Sequence, residues 1–287
     1  MTIIYHSKDL DGYCSGAVCK LKYPGAALIG YDYGQPLPDL PAGEPVIMVD
    51  VSVPMEQMEQ MAAKSGDFTW IDHHASAIRD FNEWILDRKT AIKAVFQEGI
   101  AACEVSWIHF FPGKGMPKTV QLLGEYDTWR NQDKHRWENQ ILPFQFGMRN
   151  KCASAEEFPT DAISGHFSGL EESGYVQSVT QTGRDILSYQ RKQNTRFAKS
   201  AFERKLDGLR AICLNAPGGN SQMFDSVYDE SKHDIMVPFC FDGEKWVFSV
   251  YATKPGIDCS AMAKVRGGGG HRGAAGFRAS DWESVWD

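Results

Sequence analysis

Apolar positions in the first half of the chain fall into short runs, 2–5, 26–30, 46–51 and 68–71, bounded by polar or turn-forming residues. Between and after them lie stretches with helical spacing, 12–22, 54–64, 101–111 and 117–126. Strand-length runs alternating with helix-length ones predict a mostly parallel sheet covered by helices. The run V46-I-M-V-D-V-S is nearly all apolar, as a strand buried on both faces should be. P54-M-E-Q-M-E-Q-M-A-A-K opens with the proline that helix N-termini tolerate. A long helical pattern without proline covers 175–205. Beyond it L209-R-A-I-C-L-N begins a second β-rich region, and V237-P-F-C-F-D-G-E-K-W-V-F-S-V-Y alternates on both sides of D-G, a hairpin signal. The expected organisation is an α/β domain over 1–172, a connector helix over 173–205 and a smaller α/β domain over 206–287. No internal repeat or low-complexity tract interrupts this plan.

The length of 287 residues and a hydrophobic content of 43% suit two packed domains rather than disorder. Seven cysteines (Cys14, Cys19, Cys103, Cys152, Cys213, Cys240 and Cys259) are scattered without a C-x-x-C pair. Neither a disulfide framework nor a thiolate zinc site is expected, and buried reduced thiols are. M-T-I-I-Y-H runs straight into a strand pattern with no basic leader and no membrane-length apolar stretch, so a cytoplasmic protein without membrane association is expected. Net charge is −7 and the pI about 5.6. That balance argues against a surface built for long duplex DNA, but suits a small anionic substrate held through metal ions. Residues 184–205 hold seven basic side chains against two acidic ones, which reads as the solvated face of a connector.

Candidate chemistry sits where strands end. Y5-H-S-K-D-L-D-G places His6, Asp9 and Asp11 within six residues, followed by Gly12 and a helix. Carboxylates suit hard divalent cations, and Mn²⁺ accepts imidazole as well; a helix cap explains an isolated D-x-D equally. Asp50 ends the second buried run, W70-I-D-H-H-A-S ends another with Asp72, His73 and His74, and Asp127 follows V120-Q-L-L-G-E-Y. In open α/β sheets, strand C-termini converge on the ligand crevice. A metal centre accounts for the whole set, whereas capping accounts for its members one at a time. R266-G-G-G-G-H-R-G-A-A-G-F lies between a helical pattern (258–265) and a strand-like G-F-R. There the glycine amides can approach an anion, with His271 and Arg272 adding charge-assisted bonds. T128-W-R-N-Q-D-K-H-R-W carries Trp129, His135 and Trp137. Packing of that loop onto the core is the simpler reading, and base stacking the alternative. No G-x-S-x-G elbow and no P-loop occur.

H-x-x-D-x-D-G, the Asp ending V-I-M-V-D, D-H-H, Y-D-T-W and G-G-G-G-H-x-x-A-A-G follow one another from residue 6 to 276. In that order they resemble the motifs of the DHH phosphoesterases, the superfamily of RecJ exonucleases and nanoRNases. The resemblance implies a DHH domain joined by a long helix to a DHH-associated C-terminal domain, with the active site in the cleft between them. It implies two Mn²⁺ ions, with Mg²⁺ or Co²⁺ as substitutes. His6 and Asp9 would hold one ion, Asp11, His73 and Asp127 the other, and Asp50 would bridge them. Asp72 would orient a metal-bound histidine as an outer carboxylate, and His74 would face the phosphate or the attacking water. Gly269, Gly270 and His271 would clamp substrate phosphate. The C-terminal glycine motif speaks against the pyrophosphatase branch, and the two-domain plan resembles the nanoRNase group. The expected activity is Mn²⁺-dependent hydrolysis of short oligonucleotides or linear dinucleotides to 5′-mononucleotides, and a homodimer is compatible with it. Alternatives are a pAp phosphatase, a cyclic-dinucleotide phosphodiesterase, a single-strand 5′ exonuclease or a non-catalytic nucleic-acid-binding scaffold. All six ligand positions are Asp or His, which disfavours the scaffold.

Overall fold

The apolar run at 46–51 becomes β3 (Pro45–Val49), with four of its five residues buried. In the computed structural model, which describes residues 1–164 and 169–287, it is the middle of a five-stranded parallel sheet. The other strands are β1 (Thr2–His6), β2 (Ala27–Tyr31), β4 (Asp67–Asp72) and β5 (Ile92–Phe96), in the order β2-β1-β3-β4-β5. This order places a topological switch point between β1 and β3, so a crevice opens beyond their C-terminal ends. Flanking helices are α1 (Leu10–Lys22), α2 (Met55–Lys64), α3 (Ala75–Trp84), α4 (Ala102–Phe110) and α5 (Lys118–Asp127). The i, i+3 spacing of Met55, Met58 and Met61 buries one face of α2. A short α6 (Lys134–Arg136) continues through a π-helical turn (Trp137–Ile141) into α7 (Leu142–Arg149).

The chain parts into two units, Met1–Leu187 and Ser188–Asp287. Their boundary falls inside α8 (Gly169–Phe197), not ahead of it. The helical pattern read over 175–205 stops earlier than its composition suggests. Helix α8 ends at Phe197, a 3₁₀ turn follows (Ala198–Ser200), and Phe202–Leu206 is strand β6. Local helix preference is weak here beside tertiary packing: the Phe202 ring meets Phe239 at 6.0 Å and Trp282 at 6.4 Å in the second core. Charged residues of β6 line the edge of its sheet, a common guard against edge pairing.

The second unit holds a six-stranded mixed sheet in the order β10-β11-β9-β8-β7-β6. Besides β6 it contains β7 (Leu209–Asn215), β8 (Ile235–Phe241), β9 (Trp246–Tyr251), β10 (Gly269–His271) and β11 (Ala274–Ala279), with α9 (Cys259–Lys264) on it. The D-G signal marks the β8–β9 antiparallel pair as read from the sequence. All seven cysteines are free and six are buried. Among the described residues no helix is long and apolar enough to cross a membrane.

Candidate metal centre

Strand β1 ends at His6, and the chain turns within three residues into α1. Asp9 caps that helix, its Oδ1 accepting the Gly12 amide at 2.9 Å. The turn is so tight that a Cβ on Gly12 would lie 2.0 Å from the His6 carbonyl oxygen, so only glycine fits. Capping and ligation are not exclusive here: Asp9 Oδ2 remains free to face His6 Nδ1 at 2.9 Å. Asp11 points the other way from the first turn of α1. Its two oxygens accept the Ala102 and Cys103 amides at 2.9 and 2.8 Å. Helix α4 begins at Ala102 with no side-chain cap from its own N-cap residue, so Asp11 supplies that cap from a distant segment.

Asp50 follows β3 with φ +61, while its amide donates to the Ile71 carbonyl at 3.0 Å, extending the β3–β4 ladder. Aspartate enters this left-handed region more readily than most residues. Its carboxylate lies between the two neighbouring strand ends. Oδ2 is 3.7 Å from His6 Nδ1, and Oδ1 is 3.4 Å from His73 Nε2. His73 Nε2 also lies 3.6 Å from Asp11 Oδ2 and 3.5 Å from Asp127 Oδ2, where Asp127 is the last residue of α5. Candidate ligand atoms thus form three groups, each within 4.8 Å: the triads His6–Asp9–Asp50 and Asp11–His73–Asp127, and Asp50–His73–His74, which shares Asp50 with the first and His73 with the second.

At D72-H-H the strand stops and α3 starts, with His74 at the N-cap. That turn frees both imidazoles from strict alternation, and their rings lie 4.3 Å apart. The Asp72 carboxylate, fully buried, does not bond the ring of His73. Its Oδ1 accepts the His73 and His74 amides at 2.7 and 3.0 Å and faces His74 Nδ1 at 2.7 Å. Oδ2 accepts Trp70 Nε1 at 3.2 Å. The outer carboxylate therefore orients the second histidine, through the Nδ1 of His74.

An outer carboxylate for His6 went unrecognised in the sequence. Asp32, directly after β2, lies 3.7 Å from His6 Nε2 and 3.6 Å from Lys8 Nζ. It repeats the pattern of an Asp just past a strand, but its partner is visible only once β2 pairs with β1. Gly269, Gly270 and His271 belong to the second unit, on the exposed edge strand β10. Gly270 has φ +140, and a Cβ there would come within 2.6 Å of Ala275 Cα. Glycine is thus required by the β10–β11 pairing itself, and outward main-chain groups of an edge strand stay available.

Burial crowds acidic groups together in the first unit and opposes their ionisation. Burial and the Asp50 charge push the Asp11 carboxyl up to about 8. Burial also pushes Asp50 up to about 7, the neighbouring charges of Asp9, Asp127 and Asp72 adding to it against the pull of His6. Asp127 is pushed up to about 7 by burial and Asp11. For His6, burial works against the charged form, but the carboxylates of Asp50 and Asp9 outweigh it and hold the imidazole up to about 10. The bond to Asp72 raises His74 to about 9. Asp50 Oδ1 and His73 Nε2 are buried without a hydrogen-bond partner, a costly state for polar atoms. A divalent cation among these oxygens and imidazoles would satisfy both atoms and neutralise the carboxylates, and the mixed O/N donor set suits Mn²⁺. The residues fit the metal pair.

No protein-family profile matches the chain. Protein R106 of Acanthamoeba polyphaga mimivirus is 23% identical over 282 residues, covering 96% of this chain and 58% of that protein. Oligoribonuclease NrnB of Bacillus subtilis is 20% identical over 311 residues, covering 97% of this chain and 73% of NrnB. The chain thus spans less than two thirds of the first of these and under three quarters of the second. Among solved structures, the pGpG-specific phosphodiesterase PggH of Vibrio cholerae superposes with a TM-score of 0.55 at 14% identity, over 99% of this chain and 94% of PggH. The chain is thus similar to NrnB along nearly all of its sequence and to PggH in its fold. The fold of this chain, a parallel α/β sheet with flanking helices and a second, mixed-sheet unit, is similar to that of PggH.

Proposed function

We propose that this chain is a metal-dependent phosphodiesterase of the DHH type, hydrolysing linear dinucleotides or very short oligonucleotides to 5′-mononucleotides with two Mn²⁺, or Mg²⁺ or Co²⁺ in their place. The carrying observation is the pair of triads, with Asp50 offering Oδ2 toward His6 and Oδ1 toward His73. Two cations there would generate hydroxide from water near neutral pH and draw charge from the phosphoryl oxygens. His6 and Asp9 would hold one ion, Asp11, His73 and Asp127 the other, and Asp50 would serve both.

The remaining residues position and donate. Asp72 fixes the His74 ring through Nδ1 and keeps it protonated near neutrality, so Nε2–H is a charged donor for a phosphate oxygen or the leaving oxygen. Gly269, Gly270 and His271 bind a substrate phosphate. In their support, Gly267 and Gly268 of the same run line a surface depression with Lys245, Arg266 and Arg278. The names of NrnB and PggH, an oligoribonuclease and a pGpG phosphodiesterase, favour short linear substrates. The test is a panel of pGpG, pApA, cyclic dinucleotides, pAp, and five- and twenty-base strands, incubated with Mn²⁺ and read by mass. Linear dinucleotides should be cleaved fastest, and His73→Ala and Asp127→Ala should each abolish turnover. Processive degradation of the twenty-base strand with pGpG and pApA left intact would refute the substrate class. Full activity in both variants would refute the two-ion site.

A further inference from the structure

Among the described residues of the first unit, the large aromatic side chains left exposed are Tyr33, at 55%, and Trp129, at 62%. Tyr33 touches one triad, and Trp129 closely follows a member of the other in the chain. The Tyr33 ring stands edge-on to His6 at 5.7 Å and 61°. Trp129 is two residues past Asp127, within about 7 Å along the chain. Neither ring sits on loose backbone. The Tyr33 amide donates to Asp32 Oδ1 at 2.8 Å, and the Gln35 amide closes the turn onto the Asp32 carbonyl at 3.2 Å. Trp129 has φ +55, in the left-handed position that usually holds glycine after a helix. Its amide donates to the Tyr126 carbonyl at 3.1 Å, and the next residue, Arg130, binds Thr128 Oγ1 and Glu104. The indole is braced on one side by buried Trp137, 4.8 Å away at 61°, which stacks on Tyr126 at 5.5 Å and 5°.

A bulky residue in strained backbone with most of its ring in water gains little for folding, and such outliers gather at binding sites. One rigid exposed ring against His6 and another two residues past Asp127 match a molecule with one phosphodiester and a base on either side. We propose that Tyr33 and Trp129 are two stacking platforms, one for each base of a linear dinucleotide whose bridging phosphate lies at the triads. The proposal rests on the phosphodiesterase reading and adds to it a structural reason for two-base length. Stacking tolerates any base, so length rather than sequence would be selected.

The test measures KM for pApA and for two analogues made abasic at the 5′ or at the 3′ nucleotide, in wild type and in Tyr33→Ala, Trp129→Ala, Tyr33→Phe and Trp129→Phe. Each Ala substitution should raise KM for pApA by about tenfold, the size of one lost stack, and each Phe substitution should restore most of it. The Ala penalty should collapse on the analogue lacking one base, a different base for each variant. Equal penalties on all three substrates would mean a merely structural role and overturn the proposal, as would no penalty at all. If wild type with Mn²⁺ cleaves no dinucleotide, the phosphodiesterase reading falls by itself. Calorimetric binding of 5′-AMP then decides: weaker binding in either Ala variant supports the platforms, while unchanged binding, or none by wild type, overturns them.

Discussion

Asp50→Asn should stabilise the metal-free protein while destroying its response to metal. The Asp50 side chain is 2% exposed and its carboxyl is pushed up to about 7, from about 3.9 in an unfolded chain. The native state thus holds a proton that the unfolded state has released between those values, so stability falls as pH rises through that window and the full penalty applies above pH 7. At 1.36 kcal/mol per unit, the ionised group costs about 4 kcal/mol at pH 8 and less than half of that at pH 5. Asparagine keeps the shape and tolerates the left-handed backbone at φ +61. In a unit of this size the gain corresponds to a rise in Tm of roughly 8–15 °C at pH 8. Thermal melts of metal-stripped wild type and variant at pH 5 and pH 8, with and without added Mn²⁺, measure both effects. The gap in Tm should widen with pH, and Mn²⁺ should raise the wild-type Tm alone. A metal-free variant melting below wild type at pH 8, or one keeping the wild-type Mn²⁺ shift, would refute the reasoning.

Mn²⁺ at a hundred times its Kd should stabilise wild type by about 2.7 kcal/mol. Because protons compete for Asp11, Asp50 and Asp127, the thermal shift should be larger at pH 8 than at pH 6, and a chelator should reverse it. Asp72→Asn removes the partner that raises His74 to about 9. Activity at pH 8 should fall by about 10–100-fold, and the alkaline limb of the pH–rate profile should move toward neutrality as His74 loses its proton earlier. Gly12→Ala must displace the His6 carbonyl, 2.0 Å from the new methyl. A loss of about 1–3 kcal/mol or more, with weakened Mn²⁺ binding by calorimetry, is expected.

The parallel sheet was legible because β1, β3 and β4 are buried apolar runs, and the acidic and imidazole residues stand immediately at their ends. Strand β5 and helix α3 escaped notice. I92-K-A-V-F is a half-exposed edge strand, and α3 starts without a side-chain cap. What the chain could not reveal was pairing between distant segments. Asp32 gains its meaning from β2 lying beside β1, and the Asp72 carboxylate reaches His74 only because the strand ends where it does. Trp129 and Trp137 look alike in the sequence. The π-helical turn at 137–141 lays one of them on Tyr126 and leaves the other in water.

Asp11 carries a consequence for how an inactive form of this protein should be made. Its carboxylate is bonded to the first two amides of α4, so replacing it by alanine removes a helix cap worth about 1 kcal/mol together with a ligand. Loss of activity in such a variant would mix a damaged frame with a damaged centre. Asp127 faces His73 from the last position of its helix and, among the described residues, caps no neighbour. Substitution there should silence the proposed chemistry with the scaffold left standing, which makes Asp127→Asn the cleaner variant for trapping the proposed substrate.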